Sequence, residues 1–117
     1  MAFADPQTIT INTVAQSLVR VKSDGLSSEY KTADDVYRFK ISHQESGKRT
    51  RHMARIDKRV VAADPLTATN DYKTLGMYVV IDEPSYGFTD ADVNFVKAGF
   101  LAWLSDANVL KILAGES

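Results

Sequence analysis

Apolar and polar residues exchange at nearly every second position up to about residue 82, the period of a half-buried strand; from Thr89 onward the apolar positions recur at helical spacing. Residues 8–14 and 17–22 both alternate, which predicts a first hairpin over about 8–22 with Ala15 and Gln16 at its turn. Asp24-Gly25 is a turn dipeptide that leads into a short polar strand over 28–32. Residues 36–42 alternate most cleanly, with Tyr37, Phe39 and Ile41 on one face and Arg38, Lys40 and Ser42 on the other. After a turn at 45–48, a strand over 49–61 repeats the device. Arg49, Arg51, Arg55 and Arg59 share one parity, and His52, Ala54, Ile56 and Val60 share the other; Asp57 and Met53 interrupt the cationic row and Lys58 falls in the apolar one. A last strand over 72–82 sets Leu75, Met77, Val79 and Ile81 against Tyr72, Thr74, Gly76 and Tyr78. Between them, residues 62–71 have loop composition around Asp64-Pro65 and Asn70-Asp71 and are too many for a tight hairpin, which predicts a loop with a job beyond connection.

Glu83-Pro84 ends the strand pattern. Thr89 is placed to cap a helix of about four turns, with Asp90 and Asp92 in the first turn where the helix dipole favours them. Ser105-Asp106 starts a second, shorter helix that Gly115 stops. Strands first and helices last predict an α+β fold: one domain over 1–117, with a hairpin at about 8–22, a meander sheet at about 28–82 and helices at about 89–114, the helices covering the apolar face of the sheet. The helices are apolar around too much of their circumference for a monomer of this size. That predicts an intertwined homodimer with Val93, Val96, Phe100, Trp103, Leu104 and Leu110 at the interface.

Composition adds limits. At 117 residues, with 44% hydrophobic and 25% charged residues, the chain has the make-up of a folded globular domain. It has no cysteine, which removes disulfides, thiol nucleophiles and thiolate metal sites together. No apolar run approaches the roughly 20 residues of a membrane helix. The first six residues carry neither a basic start nor a long apolar stretch, so no secretory signal is expected. Net charge is −1, yet residues 38–59 hold eight bases against two acids, whereas the chain after residue 60 holds eight acids against three bases. That asymmetry predicts an anionic partner for the middle of the chain.

Candidate chemistry is sparse. Asp34-Asp35 and Asp82-Glu83 fall at loop or strand ends, Asp90 and Asp92 fit helix capping, and no nucleophile with a paired base or glycine-rich phosphate loop can be assembled. His43 and His52 are the only histidines, too few for a metal site. No enzyme activity, cofactor, metal, membrane or small-molecule substrate is expected.

The order of hairpin, basic meander, proline-containing loop, strand and two terminal helices resembles the coat proteins of single-stranded RNA bacteriophages of the levivirus type. Most of the chain, from about residue 8 to 114, can be laid on that pattern. The nearest local likenesses are the run from Tyr37 through Arg38, Phe39, Lys40 and Ile41 to Ser42, and Leu75-Gly76-Met77-Tyr78 followed by the helix that contains Val96-Lys97-Ala98. The resemblance implies dimers that pair edge to edge, an icosahedral shell, and packaging of genomic RNA in a virion assembled in the cytoplasm of a bacterial host. Carried over, the RNA-facing residues are Arg38, Lys40, Ser42, Arg49, Arg51, Arg55, Arg59, Thr74 and Tyr78, and the loop between dimers contains Asp64, Pro65, Leu66 and Thr67. Arginine and lysine suit phosphate neutralisation, and an exposed tyrosine can stack an unpaired base. The resemblance also implies binding of an operator hairpin as a translational repressor. Here Gly76 and Thr74 depart from the polar and aromatic side chains that family members present, so those positions do not speak for that role. A dimeric RNA-binding regulator that never forms a shell would share the basic sheet and the helices, and the loop near Pro65 is what separates the two readings.

Overall fold

The computed structural model describes residues 3–117. Its strands are β1 (Gln7–Ile11), β2 (Val14–Ser23), β3 (Ser27–Lys31), β4 (Tyr37–Ser46), β5 (Arg49–Ala63) and β6 (Asn70–Pro84), followed by helices α1 (Asp90–Trp103) and α2 (Asp106–Leu113). The strands form one sheet in chain order, an antiparallel meander with β1 and β6 at its edges. Strands followed by helices give the α+β arrangement that the residue periods predict.

The first hairpin turns earlier than its alternation suggests. Asn12 and Thr13, at φ 53° and 64°, make the turn, and Ala15 and Gln16 lie within β2 opposite Thr10 and Ile9. Two successive left-handed residues match the twist of the flanking strands, and asparagine tolerates that region better than most side chains. The threonine gave no such signal. The resulting register places Ile9, Ile11 and Leu18 on the same side of the sheet.

That side is the core. Leu18, Tyr30, Tyr37 and Ile41 are buried, with Ile9, Ile11, Val36, Phe39 and Ile56 packed around them. Cross-strand register explains the grouping: Tyr30 faces Phe39 and Phe39 faces Ile56, while Ser28 faces Ile41 and Ile41 faces Ala54. Fully buried Tyr30 keeps its hydroxyl satisfied, accepting from Arg20 Nη2 at 3.0 Å and Nε at 3.3 Å. Thr32, buried as well, accepts from the Tyr37 amide at 3.2 Å and donates to Asp34 at 2.6 Å. Full burial of a large apolar side chain is worth about 1.5–3 kcal/mol, so four such residues make a thin core.

Strands β4, β5 and β6 outrun their predicted ends, and the predicted loop over 62–71 shrinks to residues 64–69. Ala62, Ala63, Asn70 and Asp71 have loop composition but lie in strands, because pairing at the sheet end overrides local preference. The loop is closed by hydrogen bonds from the Asp64 amide to Thr69 at 2.9 Å and from the Ala68 amide to Asp64 at 2.8 Å, and Asp64 Oδ1 accepts from the Leu66 amide at 2.8 Å.

Two compact units are distinguished, one ending at Glu83 and the other running from Pro84 to Ser117. In the second, Thr89 caps α1 reciprocally: its hydroxyl accepts from the Asp92 amide at 3.2 Å, and Asp92 accepts from the Thr89 amide at 3.0 Å. Ser105 caps α2, and Gly115 at φ +86° takes the left-handed stop. Both helices fall within one residue of the predicted bounds, and neither contains a buried residue.

Candidate nucleic-acid interface

The face of the sheet opposite the core carries the arginines of β4 and β5. Antiparallel pairing of β4 with β5 sets Arg38 opposite Asp57, Lys40 opposite Arg55, Ser42 opposite Met53, Gln44 opposite Arg51 and Ser46 opposite Arg49. Lys31 and Glu29 of β3 join the same face opposite Arg38 and Lys40. The even residues of β6 complete it: the Arg55 guanidinium lies 5.6 Å from the Tyr78 ring centre, Arg59 lies 4.5 Å from that of Tyr72, and Asp82 accepts from Arg49 Nε at 3.0 Å. Thr74 and Gly76 share that parity. Every sequence-predicted member of the RNA-facing set therefore lies on this one face. The odd parity of β6 belongs to the other face, where Glu83 meets His52.

Most of the cations here are partnered. Asp35 takes both Arg38, at 3.0 and 3.1 Å, and Arg59, at 3.0 Å; Asp57 holds Arg55 at 2.9 Å, and Glu29 lies 3.8 Å from Lys40. The hydrogen bond from Arg38, backed by the charges of Arg38 and Arg59, keeps the Asp35 carboxyl below its ordinary value. These acids answer a physical problem, since Lys40 and Arg55 stand directly opposite and like charges in that position repel. Of the two acids within residues 38–59, only Asp57 shares the cationic face; Glu45 lies on the other, opposite Thr50. The remaining partners come from β3, the turn before β4 and the end of β6; Asp35 is three residues from Arg38, but the Arg59–Asp35, Lys40–Glu29 and Arg49–Asp82 pairs span sequence distances that charge counting along the chain does not reach. Arg51 makes no ion pair among the described residues and is exposed.

The space above Gly76 is taken by side chains of β5. A Cβ there would sit 2.8 Å from Asp57 Oδ1 and 3.0 Å from Arg55 Nη2, so the Arg55–Asp57 pair occupies the space over this point of β6. Tyr72 and Tyr78 are about 60% exposed, each with a guanidinium nearby, which leaves ring surface open to a flat partner.

A depression of about 340 Å³ lies at the β4–β5 turn end of the face, lined by Gln44, Ser46, Arg49, Arg51 and Asp82. Gln44 and Ser46 are absent from the sequence-derived set because β4 was expected to end at residue 42. They continue its even parity, and extending the alternation to the turn at Gly47 would have found them. The loop residues Asp64, Pro65, Leu66 and Thr67 all lie in the connection between β5 and β6, where Leu66 is 93% exposed. Val96, Phe100, Trp103 and Leu110 are exposed on their helices, whereas Val93 and Leu104 are partly buried.

Comparison with known proteins gives a consistent result. Residues 4–84 match the family model described as "Phage phiCb5, coat protein". The chain is similar in fold to the virus-like particle of bacteriophage AVE019, with 10% identity, 86% of each chain covered and a TM-score of 0.75. It is similar also to that of Beihai levi-like virus 21, with 14% identity, 96% of this chain and 94% of the other covered and a TM-score of 0.73. A third likeness is to an unassembled bacteriophage coat protein described as an RNA-binding dimer, with 15% identity, 97% and 95% covered and a TM-score of 0.60. No curated protein matches the chain.

Proposed function

The chain belongs to the phage phiCb5 coat protein family, a structural family rather than an enzyme family, and from that premise we propose that it dimerises, assembles into an icosahedral shell and packages single-stranded RNA against its arginine-bearing sheet face. The observation that carries the RNA reading is the division of one sheet between two chemistries: Tyr30, Tyr37, Phe39 and Ile41 on one side, and Lys31, Arg38, Lys40, Arg49, Arg51, Arg55 and Arg59 on the other. These seven cations, with Lys22 of β2 opposite Glu29, outnumber Glu29, Asp35, Asp57 and Asp82 and leave a positive excess, enough for phosphate contacts that depend on salt and little on sequence.

Self-association is supported by apolar surface. Leu75, Met77, Val79 and Ile81 form the odd row of edge strand β6, and they are 65%, 61%, 45% and 37% exposed. Phe95, Val96, Phe100, Trp103 and Leu110 are exposed on the helices. Apolar surface on this scale marks an interface, and a long unpaired edge strand is a template for pairing with a second copy. In this reading both units serve one coat-protein domain, the dimer interface includes Val93, Val96, Phe100, Trp103, Leu104 and Leu110, the loop at Asp64, Pro65, Leu66 and Thr67 meets neighbouring dimers, and the protein resides in the virion after assembly in a bacterial cytoplasm.

Repression through an operator hairpin is the finer part of the proposal. Tyr78 supplies its stacking surface; where a base-reading side chain would project from position 76, this chain holds the Arg55–Asp57 pair instead. The test is nuclease-protected RNA in particles of Arg51→Ala combined with Arg55→Ala. RNA per subunit falls if this face meets the genome, and unchanged RNA assigns packaging to another surface.

A further inference from the structure

On the core-side face, β4, β5 and β6 are tied together by three titratable groups that RNA contact does not use. His43 and His52 are register partners, their Nδ1 atoms 2.8 Å apart and their rings edge to face with centres 5.0 Å apart. The other ring nitrogen of His52, Nε2, lies 2.9 Å from Glu83 Oε1, and Glu83 is the last residue before Pro84. The neighbouring rows of β4 and β5 hold Ile41 with Ala54 on one side and Glu45 with Thr50 on the other. From the β2–β3 turn, Asp24 shares with His43 the lining of a depression that includes Phe3, Ser27 and Ser28. The charged groups around the pair are therefore the carboxylates of Glu83, Glu45 and Asp24. Asp24 stays ionised readily, because the Leu26 amide, the Ser27 hydroxyl and the Ser27 amide all donate to it. Among the described residues no group of three such side chains is arranged to hold a metal ion, so the ligand this cluster can respond to is the proton.

Counting donors fixes what it tolerates. With both rings neutral, His43 Nδ1–H donates to His52 Nδ1, and His52 Nε2–H donates to Glu83. With one proton added, His52 becomes a cation that donates from Nδ1 to His43 and from Nε2 to Glu83, and both hydrogen bonds survive. With two added, both Nδ1 atoms carry hydrogen and face each other at a contact distance, so two cationic donors oppose with no acceptor between them. The geometry points to a proton-counting clasp: His43, His52 and Glu83 link β4, β5 and β6 through their side chains when they carry zero or one extra proton, and the link opens on the second. Glu83 is the last residue of the sheet unit; any consequence for the dimer or shell rests on the coat-protein reading above, but the clasp itself does not.

The sign follows from linkage. The unfolded chain accepts two protons on these histidines and the clasped state only one, so the unfolded state binds more and acid destabilises the fold. A difference of one proton changes the unfolding equilibrium by about tenfold per pH unit. The experiment is urea unfolding of the full chain between pH 7.5 and 4.5, with wild type, His43→Phe and Glu83→Gln, together with magic-angle-spinning NMR of histidine-labelled wild type, which reads imidazole nitrogens in assembled or unassembled protein alike. The clasp predicts a coupling across the Nδ1···Nδ1 hydrogen bond that is present at neutral pH and lost on acidification, and a wild-type pH slope steeper than that of His43→Phe by up to one proton. No coupling across Nδ1···Nδ1 at neutral pH, or equal slopes in wild type and His43→Phe, overturns it. Both readouts are intact even if the protein forms no shell.

Discussion

Replacing Arg51 with alanine isolates the one arginine of the basic face that no acid compensates among the described residues. It projects beside Gln44 at the rim of the depression that Arg49 and Asp82 also line. A phosphate bound there displaces counterions without first breaking an ion pair. For single-stranded nucleic acid each such contact contributes about −0.7 to the slope of log K against log salt, so at about 0.1 M salt, measured against 1 M, one contact is worth about fivefold in affinity, roughly 1 kcal/mol. Asp57→Asn is the opposite perturbation. It releases Arg55 from its 2.9 Å partner and leaves the cation on the face, so binding tightens and the slope steepens by a similar increment. The assay is fluorescence anisotropy of an unstructured RNA titrated with wild type and the two variants from about 0.05 to 0.4 M salt. Arg51→Ala should flatten the slope by about 0.7 for each subunit engaged, with the curves converging toward high salt. An unchanged slope in Arg51→Ala, or weaker binding by Asp57→Asn, refutes the electrostatic account of this face.

Gly76→Ala places a Cβ 2.8 Å from Asp57 Oδ1 and 3.0 Å from Arg55 Nη2, both ends of flexible side chains that can swing aside. Urea stability should stay within about 1 kcal/mol, since alanine recovers roughly 0.5–1 kcal/mol over glycine in a strand, while the RNA salt slope changes; a loss above about 2 kcal/mol would show the ion pair to be rigidly held. Shortening the loop at residues 64–69 should leave a folded dimer that still binds RNA but assembles wrongly or not at all, and normal particles under electron microscopy would remove that loop from shell contacts. Asp35→Asn tests the turn that gathers Arg38 and Arg59: because folding lowers the Asp35 proton affinity, its stabilisation is present above the ordinary carboxyl value and lost as pH falls through the folded one. Stability of the wild type should therefore fall more steeply in acid than that of the variant, and parallel pH curves would show the pairs to be idle.

The sequence revealed face assignment well and range poorly. Alternation through Tyr37 to Ser42 and Arg49 to Val61 sorted the two sides of β4 and β5 correctly, because side chains alternate strictly whatever lies beyond them. Helix bounds were equally legible, since Thr89, Ser105 and Gly115 act within one turn of themselves. The first hairpin failed where the signal is weakest: Thr13 is β-branched, and nothing local announces its positive φ. Strand ends failed because pairing across the sheet recruited Ala62, Ala63, Asn70 and Asp71 against their loop composition. In the candidate interface, parity gathered the arginines, but the pairs of Lys40 with Glu29, Arg59 with Asp35 and Arg49 with Asp82 join chain-distant residues, and so does the histidine clasp to Glu83.

The central claim is that this chain builds an RNA-filled shell. The most direct measurement is size-exclusion chromatography with negative-stain microscopy of the protein expressed in bacteria, recording the 260 to 280 nm absorbance ratio after nuclease treatment. Particles eluting near the void with protected nucleic acid are the predicted result. A small dimer that forms no particle at any salt concentration would contradict it and leave a non-assembling RNA-binding protein in its place.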